Sequence, residues 1–443
     1  MNTLGERVLD NLNIRRERIL NEQLNCIPSP FKRFSTDFVG IEQSCYYTIT
    51  SFTKGGKSQF ASYTFIYKPL MFCYYTKADI DIKILYFPLE ETPERILQRF
   101  ISWLLFDFSE GKIRISPRDL RSTIKAVPQE ILDIIKSDEV QDIIRYFEEH
   151  VIFPDEACNP TGIYKYCIKY AEEHGKVYRK IGKYKDELGI IQEREVFDRY
   201  EQDNPNEYRL IMIDTINLID TEKGMTLKQS VDKLSEYCAK YLRNRYHYSP
   251  VVIQQQAFEQ EGNEAFKIGK VRPSVAGLGD SKYTSRDSNV VLGLFSPFRF
   301  ALREYEGYDI SKFKDNIRFL EVIVNRDGEM GGLCPLFFDG AVCRFEELPK
   351  PSDKENIQKV YQYLNKLRGI TSKLFFKYRK SEENTRMLYH KFSKLSNFYT
   401  WITEAYGKFI SNREKKSNTD GKCSNYFREE WYWQIQWYKR IRS

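Results

Sequence analysis

The strongest chemical signal in the chain is the octapeptide Ser51-Phe52-Thr53-Lys54-Gly55-Gly56-Lys57-Ser58. Gly56, Lys57 and Ser58 match the phosphate-loop pattern G-x-x-x-x-G-K-[ST], and Ser51 stands where the first glycine is usual. Each residue type has a physical reason. Gly55 and Gly56 let backbone N–H groups approach phosphate oxygens without a Cβ in the way. Lys57 offers a point charge to the β- and γ-phosphates, and Ser58 a hydroxyl to Mg²⁺. The expected nucleotide-binding set is therefore Ser51, Thr53, Lys54, Gly55, Gly56, Lys57 and Ser58. A glycine-rich turn with an incidental lysine would share the GGKS letters. The strand pattern before the loop and the helix pattern QFASYTFIY after it favour the phosphate reading.

Triphosphate chemistry also needs carboxylates, one near Mg²⁺ and one to orient water. LIMID ends an apolar run at Asp214, where a carboxylate would join Ser58 at the metal. LYFPLEE ends another run at Glu90 and Glu91. Either acid could polarise water, although acids also favour a helix N-terminus for its dipole alone. PVVIQQQ ends a third run in three glutamines, neutral donors and acceptors suited to sensing a γ-phosphate.

Elements must hold these residues in place. CYYTITSF, IKILYF, RLIMID, PVVIQQ, NVVLGLF and RFLEVIVNR have strand composition. Helical spacing runs between them, from Thr92 to Phe106 and from Thr226 to Tyr246, and Ser116-Pro117 opens a further helix. Alternation of this kind predicts an α/β fold with a mostly parallel sheet covered by helices. Residues 4–24 form an amphipathic helix pattern. Residues 175–205 are polar and charge-dense and read as an insertion.

Composition bounds the rest. With 443 residues, 41% hydrophobic and 15% aromatic, the chain has ample core material and is not mainly disordered. No run approaches the length of a membrane span, and the charged N-terminus lacks a signal core, so a cytosolic protein without membrane partners is expected. Nine scattered cysteines with no CxxC pair and only four histidines argue against a zinc module or a disulfide framework. The net charge of +7 is unevenly placed: residues 350–443 carry 21 basic and 9 acidic side chains, leaving the remainder net −5. The same stretch holds Trp401, Trp431, Trp433 and Trp437, and it follows the linker-like LPKPSDKE.

The order of these segments resembles the RecA-fold motor domain of DnaB-like hexameric replicative DNA helicases, from about Phe31 to Leu348. SFTKGGKS resembles the family's phosphate loop. LYFPLEETPERI resembles the segment whose Glu is the catalytic base, here Glu90. RLIMIDTINLI resembles the second nucleotide motif, with Asp214 on the magnesium side. SPVVIQQQ resembles the strand whose final Gln acts as sensor, here Gln256. RPSVAGLGDSKYTSRDSNVVLGL resembles the channel loop that contacts DNA, which puts Gly279, Asp280, Ser281 and Lys282 at the channel. EVIVNRDGEMGG resembles the segment ending K-x-R-x-G, so Arg326 matches the finger inserted into the neighbouring subunit's site.

The departures are Val324 for the family's Lys, Gly279 for its channel Arg, and Ser51 for its first Gly. The family's N-terminal collar domain has no counterpart, which points to a phage-type or plasmid protein acting in the host cytosol.

The resemblance implies a linker-type helix at 1–30 and a motor domain at 31–349, and the charge shift and helical spacing beyond it read as a basic, aromatic helical extension at 350–443. It implies ATP and Mg²⁺ as ligands, and single-stranded DNA, a homo-hexameric ring, and a primase or helicase loader as partners. An ATP-dependent replicative helicase is the first expectation. The second is a RecA-fold switch or scaffold that binds DNA without unwinding it, and a packaging or recombination motor shares the nucleotide residues. For the extension three roles stand open: packing, base stacking with phosphate contacts from Lys439, Arg440 and Arg442, or docking a protein.

Overall fold

The computed structural model describes residues 3–76, 79–155, 157–185, 191–257, 272–278 and 283–371. The chain divides into two compact units, 1–25 with 382–443, and 26–381. In the first, the helix Leu4–Leu20 opens on a reciprocal cap. Glu6 N–H donates to Thr3 Oγ1 at 3.2 Å, and Thr3 N–H donates to the Glu6 carboxylate at 2.6 Å. The basic aromatic stretch from 372 onward lies outside the described residues.

The second unit is built on a nine-stranded sheet. In chain order its strands are β1 (Tyr47–Ser51), β2 (Asp81–Pro88), β3 (Val151–Ile152), then β6 (Glu207–Asp214), β7 (Ser249–Gln255), β8 (Val290–Phe295), β9 (Ile317–Asn325), β10 (Leu333–Asp339) and β11 (Arg344–Glu347). A separate hairpin supplies β4 (Gly175–Lys185) and β5 (Ile191–Gln202). The order across the sheet is β11-β10-β9-β8-β1-β7-β6-β2-β3. The six strands from β8 to β3 are mutually parallel, and β9, β10 and β11 each pair antiparallel with the strand before them. Every residue of β1 and β6 is buried, as both faces of a parallel sheet covered by helices require. The carboxyl ends of the parallel strands form one edge, where α/β sheets place their ligands.

The run 57–76 is helical in three parts, α over Lys57–Ala61, π over Ser62–Tyr67 and α over Lys68–Thr76. The helix Pro93–Phe108 packs Phe100 and Trp103 against Tyr67. The helix Lys354–Thr371 buries Ile357, Leu364 and Leu367 in one cluster with Phe313, Phe319 and Phe337 of the sheet region. No helix among the described residues is long and apolar enough to cross a membrane.

The charge-dense stretch 175–205 forms the hairpin β4–β5, which side-chain chemistry pins to the sheet. Arg209, 2% exposed, donates to Glu207 Oε1 and Tyr200 Oη at 2.5 Å each, and to the His174 carbonyl at 2.8 Å. Tyr200 Oη in turn donates to the Ala171 carbonyl at 2.8 Å. Truncating one member of such a pair strands the other charge in the interior. Arg209→Ala is expected to lower unfolding stability by about 3–5 kcal/mol in denaturant titration. Replacing both partners with apolar residues, Arg209→Met with Glu207→Leu, should cost far less. Equal losses would mean the pair is not the anchor.

Candidate active site

The phosphate-loop segment occupies the turn between β1 and the run 57–76. Ser51 is the last residue of β1, and its Oγ donates to the Phe52 carbonyl at 2.9 Å. It is not among the positive-φ residues, so the position usually held by glycine tolerates serine here. Two later positions do need glycine. A Cβ on Gly55 would lie 2.6 Å from Ser51 Oγ, and Gly56 has φ +95° with Phe338 3.5 Å from any added Cβ. Lys54 takes φ +57°, an uncommon left-handed conformation for a residue with a side chain. Helical bonding begins at Gly56, whose carbonyl accepts from Phe60 N–H at 2.8 Å. Lys57 follows directly, only 9% exposed, and no carboxylate pairs with it among the described residues. Thr53 Oγ1 accepts a hydrogen bond from the Gln255 amide.

Ser58 and Asp214 come together although 156 positions separate them. Ser58 Oγ donates to Asp214 Oδ1 at 2.9 Å, so the helix leans over β7 to reach the end of β6. Tyr86 Oη, from β2, donates to Asp214 Oδ2 at 3.2 Å. Burial pushes the Asp214 carboxyl above its ordinary range. The hydrogen bonds from Ser58 and Tyr86 and the charge of Arg99 oppose that shift, while Glu90 adds to it. Two hard oxygen donors at this separation fit a magnesium ion.

The paired acids after β2 diverge. Glu90 is exposed and close enough to Asp214 for its charge to be felt there, whereas Glu91 is engaged by the Arg99 guanidinium. The pattern in LEE does not distinguish them; Arg99, two helical turns later, does.

The three glutamines at the end of β7 have three destinations. Gln256, 1% exposed, donates to Thr50 Oγ1 at 2.8 Å and to the Ser274 carbonyl at 3.1 Å, and its Oε1 accepts from Ser274 N–H at 3.3 Å. The Gln255 side chain touches the phosphate-loop segment through Thr53, and the Gln256 backbone N–H donates to the Ser51 carbonyl at 3.0 Å. Gln254 donates to the Leu278 carbonyl at 2.9 Å and accepts from Thr284 Oγ1. Gly279, Asp280, Ser281 and Lys282 lie outside the described residues, and Gln254 holds the segments on either side of them. Gln254 and Gln255 were not singled out by sequence reasoning. Alternation along a strand sends neighbours to opposite faces, so each could be placed only once its facing loop was known.

Arg326 is remote from its own chain's phosphate loop. Asn325 pairs with Val290, and Val290 with Tyr47, so Arg326 lies at the amino edge of the parallel strands. From there the length of β1 to Ser51 is about 13 Å of strand. Arg326 is exposed, its N–H donates to the Asn289 carbonyl at 3.0 Å, and its guanidinium donates to the Arg286 carbonyl. Arg286 stacks on the Tyr283 ring at 3.9 Å. Arg243, bonded to Asn289 Oδ1 at 2.7 Å, has its pKa pushed down by burial and by the charge of Arg326. Three guanidinium groups thus share this edge, where Val324 contributes none.

No protein-family model and no curated protein matches the sequence. Among solved structures, the ATPase domain of G40P superposes with a TM-score of 0.54 at 14% identity, covering 79% of this chain and 100% of that one. A DnaB-like replicative helicase gives a TM-score of 0.49 at 13% identity, covering 78% of this chain and 67% of that one. The RadB recombinase gives 0.35 at 10% identity, covering 71% and 96%. Only the first is close enough to argue from, and at such identity the likeness is one of fold. The chain has the RecA-like α/β fold of that ATPase domain, the fold that the motif resemblance implied.

Proposed function

We propose that this chain is an ATP-hydrolysing motor of the DnaB-like type, which binds ATP with Mg²⁺ and moves on single-stranded DNA as a ring of identical subunits. The observation that carries the proposal is the Ser58–Asp214 pair at 2.9 Å, adjoining a buried Lys57 at a glycine-bearing loop. Loop amides and Lys57 would hold the phosphates, and Ser58 and Asp214 would hold the metal. When bound, Mg²⁺ neutralises charge on the phosphate oxygens. Glu90 accepts a proton from the attacking water, being the acid that Arg99 leaves unpaired. Arg326 acts on the nucleotide of the adjacent subunit, because its own loop lies at the opposite edge of the sheet. Arg286, beside it, offers the second positive charge that Val324 does not.

Gln255 senses the phosphate loop through Thr53, while Gln254 and Gln256 hold the chain on both sides of the DNA-contacting loop 279–282. Loss of the γ-phosphate would thereby alter the grip on DNA. That grip is mainly on phosphates and salt-sensitive. A primase or a loader is a further partner of the proposed assembly.

Val324 favours a second reading, a switch or scaffold of the same fold that hydrolyses ATP slowly and does not unwind. A forked duplex separates the two. Strand separation that requires ATP and is lost in Lys57→Ala is the expected result. DNA-stimulated hydrolysis without strand separation would support the switch.

A further inference from the structure

We propose that Arg318 is a positioning residue for the phosphate loop, holding the Gly55–Gly56 peptide from behind so that the Gly56 N–H faces the nucleotide. The inference rests on the reading of that loop as the phosphate site, and it adds a residue that no part of the phosphate-loop pattern contains.

An arginine is out of place in IRFLEVIV, the run that forms β9. Burying a guanidinium in a central strand is costly unless its hydrogen bonds are met. Arg318 is 1% exposed, and its bonds are met by a particular set of partners. Nε donates to the Gly55 carbonyl at 2.7 Å, across 263 positions of sequence. Nη1 donates to the carbonyls of Asp315 and Ile317 at 2.8 Å each, and Nη2 to Asp315 Oδ1 at 2.9 Å. The guanidinium lies 4.3 Å from the centre of the Phe338 ring, the same ring that walls Gly56. Planarity, packing and four bonds fix the fork, so Nε points at the loop with little freedom.

The consequence follows from the geometry of a peptide. The carbonyl of Gly55 and the N–H of Gly56 belong to one planar trans unit and point in opposite directions. With the carbonyl turned back to Arg318, the Gly56 N–H is turned outward, at the residue where φ is +95° and the helix begins. Left to itself, a glycine pair samples many orientations, and ordering it would fall to the nucleotide. Arg318 orders it beforehand. Its charge is matched by Asp315 at 2.9 Å, so what Arg318 gives the loop is the aligned peptide rather than a free charge. An anion in front of the loop therefore meets a donor that is already aligned.

The test compares three full-length variants by calorimetric binding of ATPγS with Mg²⁺, steady-state kcat and KM for ATP, and thermal unfolding without nucleotide. Arg318→Met should weaken ATPγS binding about ten- to hundredfold, the worth of one charge-assisted hydrogen bond. It should raise KM by a similar factor and lower kcat much less. Arg318→Lys keeps a charge and one donor and should recover part of the affinity. Asp315→Ala removes the ion pair but not the Gly55 bond, so it should lower the unfolding temperature and leave ATPγS affinity unchanged.

Wild-type affinity in folded Arg318→Met would overturn the proposal, as would an equal loss in Asp315→Ala, which would mark the role as general support. If Arg318→Met does not fold, Arg318→Lys decides: weaker binding than Asp315→Ala at similar thermal stability supports the proposal, and wild-type binding overturns it. A folded wild-type protein that does not bind ATPγS would instead remove the phosphate-site reading, and this proposal with it.

Discussion

Arg326→Ala is expected to lower DNA-stimulated ATP turnover by about 10³–10⁵-fold while ATP binding stays near wild type. The size of the effect is that of an arginine finger, whose charge acts on the transferring phosphoryl group and contributes little to ground-state affinity. The direction rests on where the residue stands. Arg326 follows β9 at the amino edge of the parallel strands, and the phosphate loop follows β1 at the carboxyl edge. No side chain spans that sheet, so an effect of this size must act on another copy of the chain.

Subunit mixing tests that step directly. A Lys57→Ala subunit has a defective loop and an intact Arg326; an Arg326→Ala subunit has the reverse. Where the two meet in the right order, one complete site forms, and a mixture should regain turnover that neither variant shows alone. Failure to regain turnover in a confirmed mixed assembly would exclude action between subunits. Wild-type turnover in Arg326→Ala alone would exclude the finger altogether.

Glu90→Gln is expected to lower kcat by about 10²–10⁴-fold, the usual contribution of a positioned general base, with ATP affinity retained. The amide keeps the shape and removes the proton acceptor. Glu91→Gln is the internal control. Glu91 is tied to Arg99, so its charge is already matched and its loss should have a much smaller effect on kcat. A larger loss in Glu91→Gln than in Glu90→Gln would reverse the assignment. It would also mean that the Glu91–Arg99 pair opens when nucleotide binds.

Much of this molecule is legible in the letters, for a physical reason in each case. Parallel strands buried on both faces favour apolar, β-branched and aromatic residues, and CYYTITSF, RLIMID and PVVIQQ announce β1, β6 and β7 by that composition. The phosphate loop is readable because chemistry and backbone sterics restrict the same few positions. Gly55 has no room for a side chain, Gly56 sits at a φ of +95° that side chains rarely adopt, and Lys57 and Ser58 are the types that phosphate and metal require. The stretch 175–205 shows the opposite situation. Its polarity sets it apart from the core strands, yet its form as a hairpin depends on cross-strand pairing and on Arg209 at its root, and neither leaves a periodic trace.

What the letters carry alone is the set of parts: an α/β fold of alternating elements, a loop of the phosphate-loop pattern, acids at strand ends, and an arginine before Gly328. What only the tertiary structure decided is which parts meet. It brings Ser58 to Asp214, sets Glu91 against Arg99, and sends Gln254, Gln255 and Gln256 to three partners. It turns Arg318 from an anomaly in an apolar strand into a brace under Gly55, and it carries Arg326 to the far edge of the sheet. Local spacing encodes the type of an element and the face a residue takes. Contacts across more than a hundred positions depend on strand order and register, which emerge only when the whole sheet is assembled.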